Sequence, residues 1–194
     1  MNNNISKTDI NQALETLRSG GLILYPTDTI WGIGCDATNP EAVDRIYQLK
    51  GRDPSKSLII LLDSDHKLAS YVHDIPDVAY QLIEYTERPL TIVYSGAKNL
   101  APNLVAGDGS VGIRIVSQHP FCSPLLQRFR KPIVSTSANL SGQPAPANFS
   151  EIDPAIIQGV NHVVAYGQDD TGRGIASVVM KLEPDGQFAF LRRN

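Results

Sequence analysis

Three short segments of this chain gather side chains able to hold an anion or to polarise a reacting group. Lys50-Gly51-Arg52-Asp53-Pro54-Ser55-Lys56-Ser57 sets the cations Lys50, Arg52 and Lys56 within seven residues. Arginine grips phosphate bidentately and lysine acts as a mobile point charge, so the three can converge on one polyanion. The same residues suit a helix end, where cations complement the dipole, Gly51 caps and Asp53-Pro54 turns the chain. Ser135-Thr136-Ser137-Ala138-Asn139-Leu140-Ser141-Gly142 is dense in hydroxyls and amides. It reads either as a helix cap or as a set of donors for a phosphate or carboxylate. The third segment runs from Tyr25 to Ala37, Tyr25-Pro26-Thr27-Asp28-Thr29-Ile30-Trp31-Gly32-Ile33-Gly34-Cys35-Asp36-Ala37. It reads as a tight turn whose glycines supply positive φ, or as a ligand loop at the carboxyl end of a strand.

Gly32-x-Gly34-x-x-Ala37 also matches a dinucleotide fingerprint, with Asp63 as the ribose acid. That arrangement needs the glycines to follow a strand directly and to open a helix. Here Thr27 to Trp31 intervene before Gly32, and the next helix start, Asn39-Pro40, lies beyond Ala37, so the glycines fit neither end. The histidines His66, His73, His119 and His162 are scattered without ligand spacing, and no Ser-His-Asp or Cys-His arrangement is evident.

The elements that must position these segments alternate along the chain. Ile10, Ala13, Leu14 and Leu17 fall at helical spacing, with Ser6 or Thr8 as N-cap and Gly20-Gly21 as a stop. Leu22 to Pro26 reads as a buried strand, and Asn39-Pro40 opens a helix that Gly51 ends. Leu58 to Leu62 is an apolar run typical of a strand covered on both faces. Helical stretches follow near His66 to Val72 and Ile75 to Glu87, the latter with Ile75, Val78, Ala79, Leu82 and Ile83 on one face. Strands at Leu90–Tyr94 and Val111–Val116, a helix near Pro120–Arg130 and a strand at Pro132–Ser135 come next. The remainder gives a helix near Ile152–Gln158 and strands at His162–Tyr166, Ala176–Leu182 and Gln187–Leu191. Consecutive strands without helices between them argue for an α/β domain with a mixed sheet.

Composition narrows the class. The chain has 194 residues, is 42% hydrophobic and 19% charged, and carries a net charge of -3 from 17 basic and 20 acidic residues. A single core at this length buries roughly 70% of the unfolded surface, so one domain over residues 1–194 is expected. The acidic balance disfavours strong non-specific nucleic-acid or membrane binding, and any basic patch must be local. Cys35 and Cys122 are too few for a disulfide scaffold and read as free thiols. No signal peptide or spanning run is seen, so a cytoplasmic location with no membrane partner is expected.

Taken in order, several motifs resemble the YrdC-like family, the threonylcarbamoyl-AMP synthases. They are Pro26-Thr27-Asp28-Thr29-Ile30-Trp31-Gly32-Ile33-Gly34, Lys50-x-Arg52 before an apolar strand, Pro89-Leu90-Thr91, Val111-x-Ile113-Arg114, Ser135-Thr136-Ser137-Ala138-Asn139-Leu140-Ser141-Gly142 and Ala176-Ser177-Val178-Val179. The resemblance runs from about Leu14 to Arg192. It implies a twisted mixed sheet flanked by helices, with a deep basic cavity on its concave side. It implies that L-threonine, bicarbonate and ATP give threonylcarbamoyl-AMP and pyrophosphate, the first step of threonylcarbamoyl-adenosine formation in tRNA. Mg2+ would arrive with ATP, and the product would pass to a tRNA threonylcarbamoyltransferase. A carbamate attacking the α-phosphorus needs no protein nucleophile, so the work is positioning and charge neutralisation.

The resemblance also assigns residues. Lys50 and Arg52 match the catalytic Lys-x-Arg, with Arg52 also at ATP. Lys56, Thr91, Ser137, Asn139 and Arg192 match ATP-binding positions, and Thr29, Ser135 and Ser177 threonine-binding ones. Arg114 is a further cation at the cavity floor, and all five cations are expected in one ATP-sized, solvent-reachable cavity. Trp31 stands where the family has Tyr or Phe, Ser57 replaces a common Pro, Leu61 a threonine-contacting His, and Ile175-Ala176-Ser177 the usual Glu-Ser-Thr. The alternatives are an RNA-binding, translation-associated module with weak RNA affinity and no synthase activity, and a hydrogenase-maturation carbamoyl transfer. For the extra domains of the latter, 194 residues and two cysteines leave no room.

Overall fold

The computed structural model describes residues 6–172 and 174–193. Residues 1–5, part of the amino terminus read above for a leader, and Asn194 lie outside them, as does Arg173. The chain opens with α1 (Lys7–Arg18), capped by the Ser6 hydroxyl accepting from Thr8 N, and passes into β1 (Ile23–Tyr25). Then follow β2 (Gly32–Gly34), α2 (Pro40–Lys50) and β3 (Ile59–Leu62). Asn39 caps α2 by accepting from Ala42 N, with Pro40 preorganised behind it. A 3-10 turn (Asp65–Ser70) stands where a helix near His66–Val72 was expected, before α3 (Asp77–Tyr85). The second half contains β4 (Leu90–Tyr94), β5 (Val111–Ile115), α4 (Cys122–Phe129), β6 (Ile133–Ser137), α5 (Pro154–Gly159), β7 (His162–Val163), β8 (Val178–Leu182) and β9 (Phe188–Arg192).

Among the described residues the strands form one nine-stranded sheet in the order β7-β1-β2-β6-β3-β5-β4-β8-β9. It is mixed, as the strand spacing predicts: β1 with β7, β3 with β5 and β4 with β8 are parallel, and the other neighbours antiparallel. Side chains alternate across a sheet, so each strand feeds two cores. On one face Leu24, Ile33, Ile60, Ile92, Ile113 and Val134 meet α2, the Leu68 turn, Ala79 of α3 and Ile156 of α5. On the other, Ile23, Tyr25, Leu61 and Ile133 meet Ile10, Leu14 and Leu17 of α1 and Leu125, Leu126 and Phe129 of α4. Leu61 and Ile60 therefore serve opposite cores, which confirms the doubly covered reading of the Leu58–Leu62 run.

Two expectations change. Gly32 to Gly34 is not a positive-φ turn but a strand pairing with both β1 and β6. Its glycines are required by closeness instead: a Cβ on Gly34 would lie 2.7 Å from Tyr25 Cε1 and from Val134 O. The apolar face of α3 is only partly covered, since Ala79 is buried while Val78, Leu82 and Ile83 are half-buried. Both cysteines are free and buried. Among the described residues no helix is long and apolar enough to cross a membrane.

Candidate active site

The helices α1 and α4 cover only part of their face of the sheet. Beyond them the same alternation brings Thr91, Gly112, Arg114, Ser135 and Val179 to one surface, fixed by the registers Thr91↔Arg114, Ile59↔Gly112, Ile59↔Ser135 and Thr91↔Val179. A cavity of about 280 Å³ opens there, lined by Thr29, Trp31, Arg52, Thr91, Arg114, Ser135, Ser137, Ser177 and Arg192 among others. Gly112 lets Ile59 and Thr91, which line the cavity, close in on either side, because a Cβ there would sit 2.9 Å from Ile59 Cγ2 and 3.4 Å from Thr91 Cγ2. A smaller cavity of about 140 Å³ adjoins it and shares Thr27, Thr29, Ile30 and Trp31.

Three guanidiniums line the larger cavity, and no carboxylate is among its described lining residues. Arg114 is buried in the floor with Nη2 3.0 Å from Asp28 Oδ1. The pair is close but not aligned as a hydrogen bond, and Arg114 Nε has no hydrogen-bond partner among the described residues. Arg52 donates from Nε to Lys56 O at 3.1 Å and from Nη2 to Ser57 O at 3.0 Å, which fixes the basic loop around it. Gly51, at φ 57°, lets Arg52 N return to Tyr47 O and turns that side chain towards the sheet.

Arg192 reaches the cavity through a register shift. Phe190 pairs with Met180 and Arg192 with Val179, so Leu191 is an extra residue in the edge strand. In regular pairing Leu191 would face Val179 and Arg192 would point to the opposite face; the bulge re-aims it. Arg192 then donates from Nε and Nη2 to Ser177 O at 3.0 and 2.8 Å. Its pKa is lowered by partial burial and by the charge of Arg114. Ser177 is buried and shares a 2.8 Å hydroxyl hydrogen bond with Thr91.

Not all five expected cations meet in the cavity. Lys56 is exposed on the loop and does not line it. Lys50 is 2% exposed, and its Nζ donates to Ser137 O and Asn139 O while its own carbonyl accepts from Ser141 N. The expectation that Lys50 is solvent-reachable is thus corrected: as the last residue of α2 it points into the β6 turn and laces the two motifs together. Burial, with Arg52 adding to it, lowers its pKa to about 8. Asn139 also lies behind the lining, donating from Nδ2 to Leu140 O and Gln143 O. β6 runs two residues beyond the expected strand end at Ser135, so Ser135 and Ser137 both lie in it and the strand geometry aims both at the cavity.

The Thr27–Trp31 loop closes one side. Thr27 Oγ1 donates to Ile30 O at 2.6 Å, accepts from Thr29 N at 3.1 Å and lies 2.9 Å from Thr29 Oγ1. Trp31 packs on Phe149 with ring centroids 4.9 Å apart. Sequence reasoning quoted Asp28 without a role; its signal was a lone acid in a loop of small polar residues, and it proves to be the counter-ion of Arg114.

The family model described as "Telomere recombination", that of the Sua5, YciO and YrdC proteins, matches residues 15–194. A threonylcarbamoyl-AMP synthase from Photobacterium profundum is 35% identical over 167 residues, covering 84% of this chain and 88% of that protein. The structure of P. abyssi Sua5 complexed with L-threonine superposes with a TM-score of 0.83 at 28% identity, over 94% of this chain; the chain spans 53% of that longer one. E. coli YciO superposes at 0.81 over 97% of this chain and 90% of its own; at 24% identity that likeness speaks for the fold alone. The expected twisted mixed sheet flanked by helices is therefore observed, and the chain belongs to the Sua5/YciO/YrdC family.

Proposed function

We propose that this chain is an L-threonylcarbamoyladenylate synthase that serves threonylcarbamoyl-adenosine formation in tRNA. The observation that carries the reading is Arg114, a buried guanidinium with an unfilled Nε donor, set beside Arg52 and Arg192 in one cavity. A buried donor without a partner is costly and calls for a ligand acceptor, and three guanidiniums call for a polyanion. The relatives named threonylcarbamoyl-AMP synthase and the L-threonine complex of P. abyssi Sua5 supply the substrates.

In this mechanism the threonine amine and bicarbonate condense to a carbamate with loss of water. A carbamate oxygen then attacks the α-phosphorus of ATP, and pyrophosphate leaves. Arg52, Arg114 and Arg192 hold the phosphates and offset the charge that develops in the transition state. Thr91 and Ser137 belong to the nucleotide side, with Asn139 supporting that side from behind the lining, and Thr29, Ser135 and Ser177 to threonine. Lys50 acts as a positioning residue, holding the carbonyls of Ser137 and Asn139 so that the β6 turn keeps its shape; Lys56 meets ATP from the rim. The lining offers hydroxyls and guanidiniums, which suit phosphate oxygens, so Mg2+ is assigned to the nucleotide it accompanies. Enclosure by Trp31 and the shared Thr27–Trp31 wall shields a carbamate that water would break down. The product is a mixed anhydride whose consumer is a tRNA threonylcarbamoyltransferase.

The experiment is an incubation of the purified chain with Mg-ATP, L-threonine and bicarbonate, read by mass spectrometry. Threonylcarbamoyl-AMP and pyrophosphate are expected only when all three substrates are present. Pyrophosphate release without threonine, or no adenylate product, would refute the reading.

A further inference from the structure

A cavity of about 770 Å³, more than twice the volume of the basic one, lies elsewhere in the fold. It lies under α3, on the face of the sheet opposite Thr91 and Arg114, and of the residues given a role in the basic cavity it meets only Asp28, the counter-ion of Arg114. Its floor is apolar, made by Leu68, Leu90, Ile92 and Ile113. Its wall carries Asp63, Asp65, Glu84 and Glu87 against a single lining guanidinium, Arg88. Asp63 is neutralised by Lys67 at 2.6 Å, whereas Asp65, Glu84 and Glu87 have no ion-pair partner among the described residues. At the inner end Asp28 and His119 join the lining. His119 Nδ1 accepts from Phe121 N and Cys122 N, and burial lowers its pKa, so this ring adds no competing cation.

A second, independent observation points to a ligand. Tyr94 lines the groove, is 2% exposed, and its hydroxyl is buried with no hydrogen-bond partner among the described residues. A polar group shut from water without a partner costs roughly 1–3 kcal/mol, so it marks a place where a partner is supplied from outside. Burial and the charges of Tyr80 and Asp65, both in the same lining, push its hydroxyl pKa up. Tyrosine rings, a carboxylate and an apolar floor within one concavity of this volume make an environment for a cation that also carries hydrocarbon.

We propose that this groove is a second ligand site, selective for an organic ammonium ion with an apolar body. The ammonium donates to Tyr94 Oη and pairs with Asp65, the apolar body lies on Leu68, Ile92 and Ile113, and Glu84 and Glu87 draw the cation in from the rim. The half-covered apolar face of α3 then has a reason: Ile83 and Tyr80 are left for the ligand instead of the sheet. Asp28 joins this groove to the other cavity through its pair with Arg114.

The test does not depend on synthase activity. Phenethylamine, protonated at neutral pH, is titrated into the full chain by calorimetry. Saturable one-to-one binding is expected, about fivefold tighter than for 2-phenylethanol, which lacks the charge, or spermidine, which lacks the apolar body. Tyr94→Phe and Asp65→Asn should each weaken it about fivefold with the circular dichroism unchanged, while Arg52→Ala leaves it intact. Equal binding of the alcohol, no saturable heat, or loss of binding in Arg52→Ala and not in Tyr94→Phe would overturn the proposal. A lysine-rich amphipathic peptide that binds where phenethylamine does not would equally overturn it, assigning the groove to a protein.

Discussion

Strand β4 carries two buried hydroxyls three residues apart that point to opposite faces and live in opposite circumstances. Thr91 faces the basic cavity and is bonded to Ser177, which is itself held by Arg192. Tyr94 faces the acid-walled groove, and its hydroxyl has no partner among the described residues. The contrast extends to their surroundings. Around Thr91 the side chains are pinned: Arg52 to Lys56 O and Ser57 O, Arg192 to Ser177 O, Lys50 to Ser137 O and Asn139 O. Around Tyr94 the charged groups are spread over the 3-10 turn (Asp65), α3 (Glu84) and the segment after it (Glu87, Arg88), and α3 leaves part of its apolar face uncovered. The first region is preorganised, as a site for charge development must be, because donors already in place need no reorganisation during reaction. The second has unmet polar demand and spare volume, as a binding groove does.

The largest effect should come from removing the floor charge of the pinned region. Arg114→Met keeps much of the side-chain volume but leaves Asp28 without its counter-ion and the phosphates without a buried cation. A loss of about 10²–10³-fold in threonylcarbamoyl-AMP formation is expected. The measurement is the initial rate at saturating ATP and threonine, and a variant that stays within about fivefold of the parent would show that Arg114 only balances Asp28.

Next in size is Lys50→Met, which tests whether this residue acts through position. Losing its bonds to Ser137 O and Asn139 O should cost about 1–3 kcal/mol of stability as well as turnover, whereas Arg52→Ala, half-buried at the cavity edge, should cost turnover alone. The pH dependence follows from the lowered pKa of about 8. The unfolded chain keeps Lys50 protonated to about 10.4, so between the two values the unfolded state binds more protons. The cost of the buried charge is present in full below pH 8 and is relieved as pH rises through that window. The stability of the parent relative to Lys50→Met should therefore increase from pH 8 to 10, measured by urea unfolding; a flat difference would mean an unperturbed ammonium.

Much of this was legible in the residues, and the failures have physical causes. Helix ends were read from capping chemistry that is local, so Ser6, Asn39 and Gly51 stand where their side chains or φ demanded. The mixed sheet followed from strand spacing. At Gly32–Gly34 the turn reading gives way to a strand, because glycine signals a turn by freedom and a strand by closeness, and only the approach of Tyr25 and Val134 O decides between them. The motif residues Thr29, Arg52, Thr91, Ser135, Ser137, Ser177, Arg114 and Arg192 do line one cavity. Lys50 and Asn139 do not, because the turn after β6 folds back on α2, a long-range contact that spacing along the chain does not encode. The groove under α3 left no motif at all: its acids and tyrosines are spread from Asp28 to Tyr94, and helical periodicity shows which residues of α3 share a face but not how much of that face is covered.

The smallest effects come from the two hydroxyls themselves, and their signs separate the two regions most cleanly. Thr91→Val keeps shape and removes a satisfied hydrogen bond, leaving buried Ser177 Oγ with only the 3.3 Å donation from Arg192 Nη2; a loss of about 1 kcal/mol is expected. Tyr94→Phe removes a hydroxyl that the fold already fails to satisfy, so the ligand-free protein should lose nothing and gain up to about 1 kcal/mol, because the desolvation penalty disappears with the group. Urea midpoints at constant m-value measure both. If Tyr94→Phe instead destabilised the chain as much as Thr91→Val, the hydroxyl would have an internal partner, and the groove would be ordinary core with no claim to a ligand.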